Sequence, residues 1–352
     1  MINYPSSAQA LPSVSGTNPL PSAVLPLADP FVQTAYFGDP NWKNAYSIQW
    51  NGGFQYQATP SFMWTMNYVG SGTHRTTVGG RYNVAITPGP GNFRDRSPFP
   101  YMAVPTSWDR SWGNANYHAL QTSFERRFAK GFALTTSYTW SKSIDPGSSG
   151  FFGVEGNSIQ NPYSMRPDRS VSSYDVPHNL VLSWVYDLPM GKNKLLHTGN
   201  RVADYILGNW QINGIADIRS GTPVNVTISG DIANTGNVNY LRPNLVGEWR
   251  VDNPTPGRWF DRSAFAPPAQ FTFGNLGRNV LRTDSVRRFD MSVFRNIPIN
   301  ERAFAQLRFE GYNVFNTVTY NAPTAEFTNV NFGRVLGAAA ARSLQIGARI
   351  YF

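Results

Sequence analysis

The sequence predicts an all-β fold, an antiparallel transmembrane β-barrel, from three observations. Apolar and polar residues alternate with period two in about nine segments of roughly 8–13 residues. The connections between these segments sort by length, short on one side and long on the other. Aromatic residues gather at the segment ends and leave the middles aliphatic.

Composition narrows the choice. Only 14% of the 352 residues are charged, against roughly 25% in an average globular protein. Aromatics also make up 14%, with 10 Trp, 17 Tyr and 23 Phe. No apolar run approaches the ~18 residues of a membrane-crossing helix. A barrel is then the remaining way into a membrane, because its strands are short and only half apolar. The chain has no cysteine, which rules out a disulfide framework and a thiolate metal site. The net charge of +9 is scattered, with no basic run of five, so no nucleic-acid partner is expected. The opening MINYP holds neither the charged n-region nor the apolar h-region of a signal peptide. If the protein is exported, its beginning is expected upstream of Met1.

Residues 1–45 are rich in Pro, Ser and Gly, lack a period, and read as loop. From 46 onward the chain is expected to be barrel, 46–352. In 46–56, Tyr46, Ile48, Trp50, Phe54 and Tyr56 alternate with Ser47, Gln49, Asn51 and Gln55. After a turn at 58–61, Phe62, Trp64, Met66 and Tyr68 continue the pattern and complete a hairpin. The next pair is 117–128 and 132–140, joined by Ala129-Lys130-Gly131, with glycine supplying a positive φ. Further strands are expected at 179–188, 209–219, 288–297 and 303–315. The last is RSLQIGARIYF (342–352), where Leu344, Ile346, Ala348, Ile350 and Phe352 share one face.

The connections 57–61, 129–131, 189–208 and 298–302 fall on one side, and all but 189–208 are short. Those at 70–116, 141–178, 220–287 and 316–342 fall on the other side and are long. Outer-membrane barrels carry this asymmetry, whereas a soluble sandwich has no reason to sort loops by parity. Tyr56, Phe62, Phe128, Phe132, Tyr186 and Phe352 mark the short-turn ends. Tyr46, Tyr68, Tyr117, Trp140, Phe289 and Phe315 mark the long-loop ends. Two aromatic belts around an aliphatic band fit the two water–lipid interfaces.

Several blocks resemble the barrel of Oar-like TonB-dependent receptors. They are YHALQTSFERRFAKGFALTTSYTWSKSID (117–145), VPHNLVLSWVYDLPMGK (176–192), NWQINGIADIRSGTPVNV (209–226), RWFDRSAF (258–265), FGNLGRNVLR (273–282), FDMSVFRNIPI (289–299) and LRFEGYNVFN (307–316). The resemblance implies a larger, 22-stranded-type barrel, present here in part: 46–352 would be its C-terminal part, with about nine strands, and 1–45 a piece of an extracellular loop. It also implies energised uptake, or other translocation, of a large solute across the outer membrane of a Gram-negative-type bacterium. The plug that gates such a barrel, and through it the contact with TonB, would lie outside this chain. The terminal strand resembles the signal read by the barrel-insertion machinery, and Leu344, Ile346, Ile350 and Phe352 are the positions that would carry it. Outer-membrane lipid is the other expected partner.

No enzyme chemistry is expected. His74, His118, His178 and His197 have no ligand spacing, and His118 and His178 read as strand starts at the outer rim. The carboxylates form no hydrolytic pair, and GSSGFFG (147–153) lacks the Lys-Ser/Thr of a phosphate loop. No metal or cofactor is expected. Glu125, Arg127, Arg308, Glu310 and Arg349 fall on polar strand faces and are expected to line the lumen, where cross-strand pairing is their simplest role. Long loops on a rigid scaffold commonly carry binding, but their composition names no ligand. Two other readings remain at this stage: a small passive porin or adhesin barrel, and a soluble glycan-binding β-sandwich.

Overall fold

The computed structural model describes residues 36–100, 106–147, 159–191, 194–197, 199–238, 241–300 and 302–352. Nine long strands follow one another. They are β1 Tyr46–Thr59, β2 Phe62–Tyr82, β3 Thr106–Ala129, β4 Phe132–Asp145 and β5 His178–Asp187. Then come β6 Trp210–Arg219, β7 Val286–Pro298, β8 Phe304–Tyr312 and β9 Ser343–Tyr351. Each pairs antiparallel with the next, so the sheet is a simple meander with β1 and β9 as its edges. Among the described residues those two edges do not pair with each other. One continuous sheet replaces the two packed layers of a sandwich, and that reading is set aside.

Register gives the sheet two faces. Ala305, Leu307 and Phe309 of β8 stand opposite Ile350, Ala348 and Ile346 of β9. Across β4 and β5, Phe132, Leu134 and Tyr138 stand opposite Tyr186, Trp184 and Leu180. At the other edge Phe54 and Tyr56 meet Met66 and Trp64. Side chains alternate along every strand, so these rows form one apolar face from edge to edge. Its exposure is high: Ile346 and Leu344 at the β9 edge are 79% and 69% exposed. Rings tile it, with Trp64 stacked on Phe124 at 5.7 Å and Phe132 edge-on to Tyr186 at 5.8 Å.

The turn at Lys130-Gly131 has both residues at positive φ, 52° and 77°, the type I′ geometry that a two-residue hairpin prefers. All four connections expected to be on the short side do lie at one end. The exception in length, between β5 and β6, contains the helix α1, Arg201–Leu207.

Two expectations need correction. The span 70–116 is not all loop: β2 runs on to Tyr82 and β3 begins at Thr106. Its sequence, GSGTHRTTVGG over 70–80, does not alternate, because beyond the apolar belt neither face needs to be oily. His118 therefore sits inside β3 rather than at a strand start, while His178 does open β5. Each histidine pairs with a tyrosine on the adjacent strand: Tyr68 Oη lies 2.7 Å from His118 Nδ1 and Tyr138 Oη 2.8 Å from His178 Nδ1. In the opening segment the described residues are 36–45, within which Tyr36–Gly38 pairs in parallel with Ser107–Asp109 of β3. The rest of that segment, 1–35, lies outside the described residues.

The buried core is not in the sheet. Val226, Phe260, Phe265, Leu276, Leu281 and Phe332 form the largest buried cluster, and all come from the two connections that follow β6 and β8. Phe332 meets Phe260 at 5.0 Å and Phe265 at 5.5 Å, both edge-on.

On the apolar face Trp184 lies flat over Gly214, its partner across the strands. A Cβ at position 214 would fall 2.1 Å from that ring. Gly214→Val should therefore lower stability by about 1–3 kcal/mol through overpacking. In urea unfolding from vesicles, the double change Trp184→Ala/Gly214→Val should cost clearly less than the sum of the two single changes. Strict additivity would show that the ring does not occupy that space.

Candidate functional site

At the long-loop end the connections are bound into one body by a row of arginines. Arg242, Arg278 and Arg282, all from the β6–β7 connection, reach Asp168, Asp145 and Asp175 in and around the β4–β5 connection. Arg242 Nη1 meets Asp168 Oδ1 at 2.5 Å, with both side chains wholly buried. Arg278 Nη2 meets Asp145 Oδ1 at 2.5 Å, both again buried. Arg282 Nη2 meets Asp175 Oδ2 at 2.6 Å, at a half-buried margin. Each guanidinium also satisfies backbone carbonyls. Arg242 Nε donates to Leu276 O, Arg278 Nε to Asp168 O, and Arg282 Nη1 to Gly221 O. Charge-assisted donation of this kind is the strong form of the hydrogen bond, and the planar fork of arginine suits it better than lysine.

The other long connections join the same body. Arg96, between β2 and β3, donates to Gly89 O at 2.8 Å and to Asn234 O at 2.6 Å. Tyr163 Oη donates to Val84 O at 2.9 Å. Gln160 Nε2 donates to Gly274 O at 3.0 Å, and Asn237 Nδ2 to Gln160 O at 2.9 Å. From the β8–β9 connection, Phe327 N donates to Thr227 O at 2.8 Å and Tyr320 N to Asp284 Oδ2 at 3.0 Å. The described parts of the four loops are thus joined into one cap.

Burial has a cost here. It pushes the Asp168 carboxyl above the ordinary carboxylate value, against the pull of the Arg242 charge and hydrogen bond. Asp168 Oδ2 has no hydrogen-bond partner. A buried pair that only partly recovers its desolvation serves mainly to select one docking arrangement of the loops. Sequence reading did not pair these carboxylates with their arginines. The signal that could have found the pairs is Arg278 and Arg282 inside FGNLGRNVLR, two arginines four apart in a segment otherwise poor in charge.

The polar strand faces behave differently. Arg127 Nε and Glu125 Oε1 are 3.8 Å apart on β3 and exposed. On β8 and β9, Arg308 Nη2 donates to Tyr351 Oη at 3.0 Å and Arg308 Nε to Gln306 Oε1 at 2.7 Å. Glu310 accepts from Gln345 Nε2, and the Arg349 guanidinium lies 5.5 Å from the Tyr351 ring. All five predicted residues stand on the face opposite the apolar one, but they form two groups. Five strand spacings of about 4.8 Å separate β3 from β8, so the structure does not bring the groups together. Leu344, Ile346 and Ile350 lie in a row on the apolar face of β9, followed by a fully exposed Phe352. Among the described residues no group of three His, Asp or Glu could hold a metal ion.

A meander whose one face is a continuous oily belt, whose short turns lie at one end and whose capped loops lie at the other, defines an outer-membrane β-barrel. The chain belongs to the family described as "Outer membrane beta barrel domain", whose model matches residues 2–345. Its location is accordingly the outer membrane.

No curated protein matches the chain. Among solved structures it is similar to the outer membrane transporter YddB from Escherichia coli. The identity is 10% and the TM-score 0.48, with 90% of this chain and 34% of that one covered. It is also similar to the pyoverdine outer membrane receptor FpvA from Pseudomonas aeruginosa PAO1, at 11% identity and TM-score 0.44, covering 88% and 30%. A third is the FrpB iron transporter from Neisseria meningitidis, at 12% identity and TM-score 0.43, covering 90% and 33%. The chain spans about a third of the length of these structures. The family match, not these likenesses, places it.

Removing one member of a buried pair leaves the other charge unpaired, which typically costs about 3–5 kcal/mol. Arg242→Met should therefore loosen the cap and expose the 159–175 segment to protease added outside cells. Arg242→Met/Asp168→Leu should restore much of the protection. If the single variant resists protease as the native protein does, Arg242 does not hold the loops together.

Proposed function

We propose that the chain is the C-terminal part of the barrel of an Oar-like TonB-dependent receptor, which takes up a large solute with energy supplied through TonB. The single observation that carries this reading is the clasped cap: four loops joined by hydrogen bonds, two of them also by buried charge pairs, at one end of a polar-lined sheet. A passive pore needs no such preorganised outer surface, whereas capture of a scarce solute does. Two further features support the reading. The sequence blocks resemble that group of receptors, and the β1 and β9 edges stay unpaired, as part of a wider barrel would leave them.

In this reading the apolar face meets lipid and the opposite face lines the lumen. Glu125 and Arg127 on one side, and Arg308, Glu310 and Arg349 on the other, would border the path of the solute or the plug. The plug and its TonB contact would be supplied by chain outside these residues. The terminal strand, through Leu344, Ile346, Ile350 and Phe352, would be read by the barrel-insertion machinery. No bond is made or broken in the process, so no catalytic role is assigned.

The deciding experiment compares the solutes that cells with and without the protein deplete from their medium, before and after an uncoupler dissipates the proton gradient. Receptor-dependent depletion that ceases with the uncoupler is the expected result. Depletion that continues unchanged would replace this reading with the passive porin.

Two mutational outcomes follow from the face assignment. Leu307→Arg should cost roughly 2–4 kcal/mol near mid-membrane, whereas Arg308→Leu should cost little. Equal unfolding penalties at 307 and 308 would mean that the lipid side is misassigned. Deleting Phe352 should lower the amount inserted in the outer membrane while leaving solute binding per inserted molecule nearly unchanged. The loops that would bind lie one bilayer thickness away, ~30 Å. Normal insertion with weakened binding would move the C-terminus into the binding site.

A further inference from the structure

We propose that α1 and the Leu195-Leu196 turn before it are a membrane foot, an interfacial element that seats the short-turn end of the sheet in the phospholipid leaflet on that side. The proposal rests on the apolar face being the lipid face.

The first observation is what the helix leaves uncovered. Val202, Tyr205 and Ile206 sit at i, i+3 and i+4, the spacing of a single helix face. They are 68%, 53% and 54% exposed, with Leu195 and Leu196 at 85% and 57%. A seven-residue helix hiding no apolar side chain of its own would not be stable in water. Something must meet this surface.

The second observation is how the helix is held. Its C-terminal carbonyls are taken by two side chains that rise from the apolar sheet face. Trp210 Nε1 donates to Ile206 O at 3.0 Å, and Arg295 Nη2 donates to Tyr205 O at 2.7 Å. Trp210 and Arg295 are opposite one another across β6 and β7, in the same row parity as Ile212, Val293 and Met291. The helix end is therefore fastened over the oily side of the sheet rather than the polar side. Arg295 also lies 5.5 Å from the Tyr205 and Trp210 rings. A cation at a helix C-terminus is favoured by the helix dipole. Gly191 and Gly208 complete the fastening, since a Cβ on Gly191 would fall 2.7 Å from the Gly208 Cα.

The third observation identifies the occupant. The exposed patch continues the apolar belt at its short-turn end, so the medium that covers the belt also reaches the foot. Tyr205 and Trp210 are the residues that prefer the water–lipid interface. Lys194 and Arg201 are exposed beside the leucines and the helix start, placed to meet anionic phosphates. Arg295 is a charge on a lipid-side row near the strand end, and such a charge reaches outward to the interface. Amphipathic surface, aromatic anchors and basic flanks together fit a lipid headgroup boundary better than a protein partner.

These 352 residues contain no cysteine, so single labels can be placed within them once any cysteine elsewhere in the protein is replaced. Val202→Cys and Ile206→Cys would carry spin labels in the protein inserted in outer-membrane vesicles. Leu307→Cys would report the sheet face and Lys130→Cys the aqueous turn. Collisions with oxygen, which concentrates in lipid, and with a water-soluble nickel chelate would then be compared. The expected result is oxygen preference at 202 and 206, weaker than at 307 and opposite to 130. Arg295→Gln should raise label mobility at 206 by freeing the helix end.

Nickel preference at 202 and 206, with oxygen preference kept at 307, overturns the foot and leaves the face assignment intact. Protection from both reagents overturns it in favour of a protein partner. Nickel preference at 307 as well overturns the face assignment and the foot together.

Discussion

Every backbone amide that crosses hydrocarbon must be hydrogen-bonded inside the protein, because lipid offers it no partner. The rest of this structure follows from that constraint. It forces an uninterrupted antiparallel ladder from β1 to β9, and the ladder fixes a common register. Register in turn sends alternate residues to opposite faces, so one set can be oily and the other wet. The apolar belt is exposed, which in a water-soluble domain would be a liability. Here it is the surface the surroundings require.

The same constraint explains where the buried core went. With one sheet face turned outward and the other polar, no apolar interior forms between layers. The chain instead buries Phe260, Phe265, Leu276 and Phe332 among its long connections. A core of so few residues cannot by itself specify how four loops lie against each other. The Arg242–Asp168, Arg278–Asp145 and Arg282–Asp175 pairs fix how two of them, the β4–β5 and β6–β7 connections, meet, because an unpaired partner in any other arrangement would be a desolvated charge. The loops give up adaptability and become a shaped cap. The connection between β5 and β6 solves a different problem, ending the sheet on its short-turn side with a small helix fastened by Trp210 and Arg295.

The strands were legible because alternation is a local property. Each of the nine could be read from its own residues, and the sorting of loops by side followed from counting them. Reading stopped where alternation stopped. The outer halves of β2 and β3 stand beyond the belt, so GSGTHRTTVGG looked like loop although it pairs with β3 from His118 to Trp108. The helix α1 was equally hidden, as seven residues carry too little periodicity to stand out from a loop.

The sequence alone determined the two faces, the aromatic belts and the polar positions Glu125, Arg127, Arg308, Glu310 and Arg349. Period two is written into neighbouring residues and needs no partner to be read. Only the tertiary structure decided which charges meet. Arg278 and Asp145 are 133 residues apart, and no local pattern connects them. It also decided that Arg295 serves a helix rather than the lumen. Its side of the strand follows from alternation, but its partner, the Tyr205 carbonyl 90 residues earlier, is brought there by the folding of the sheet.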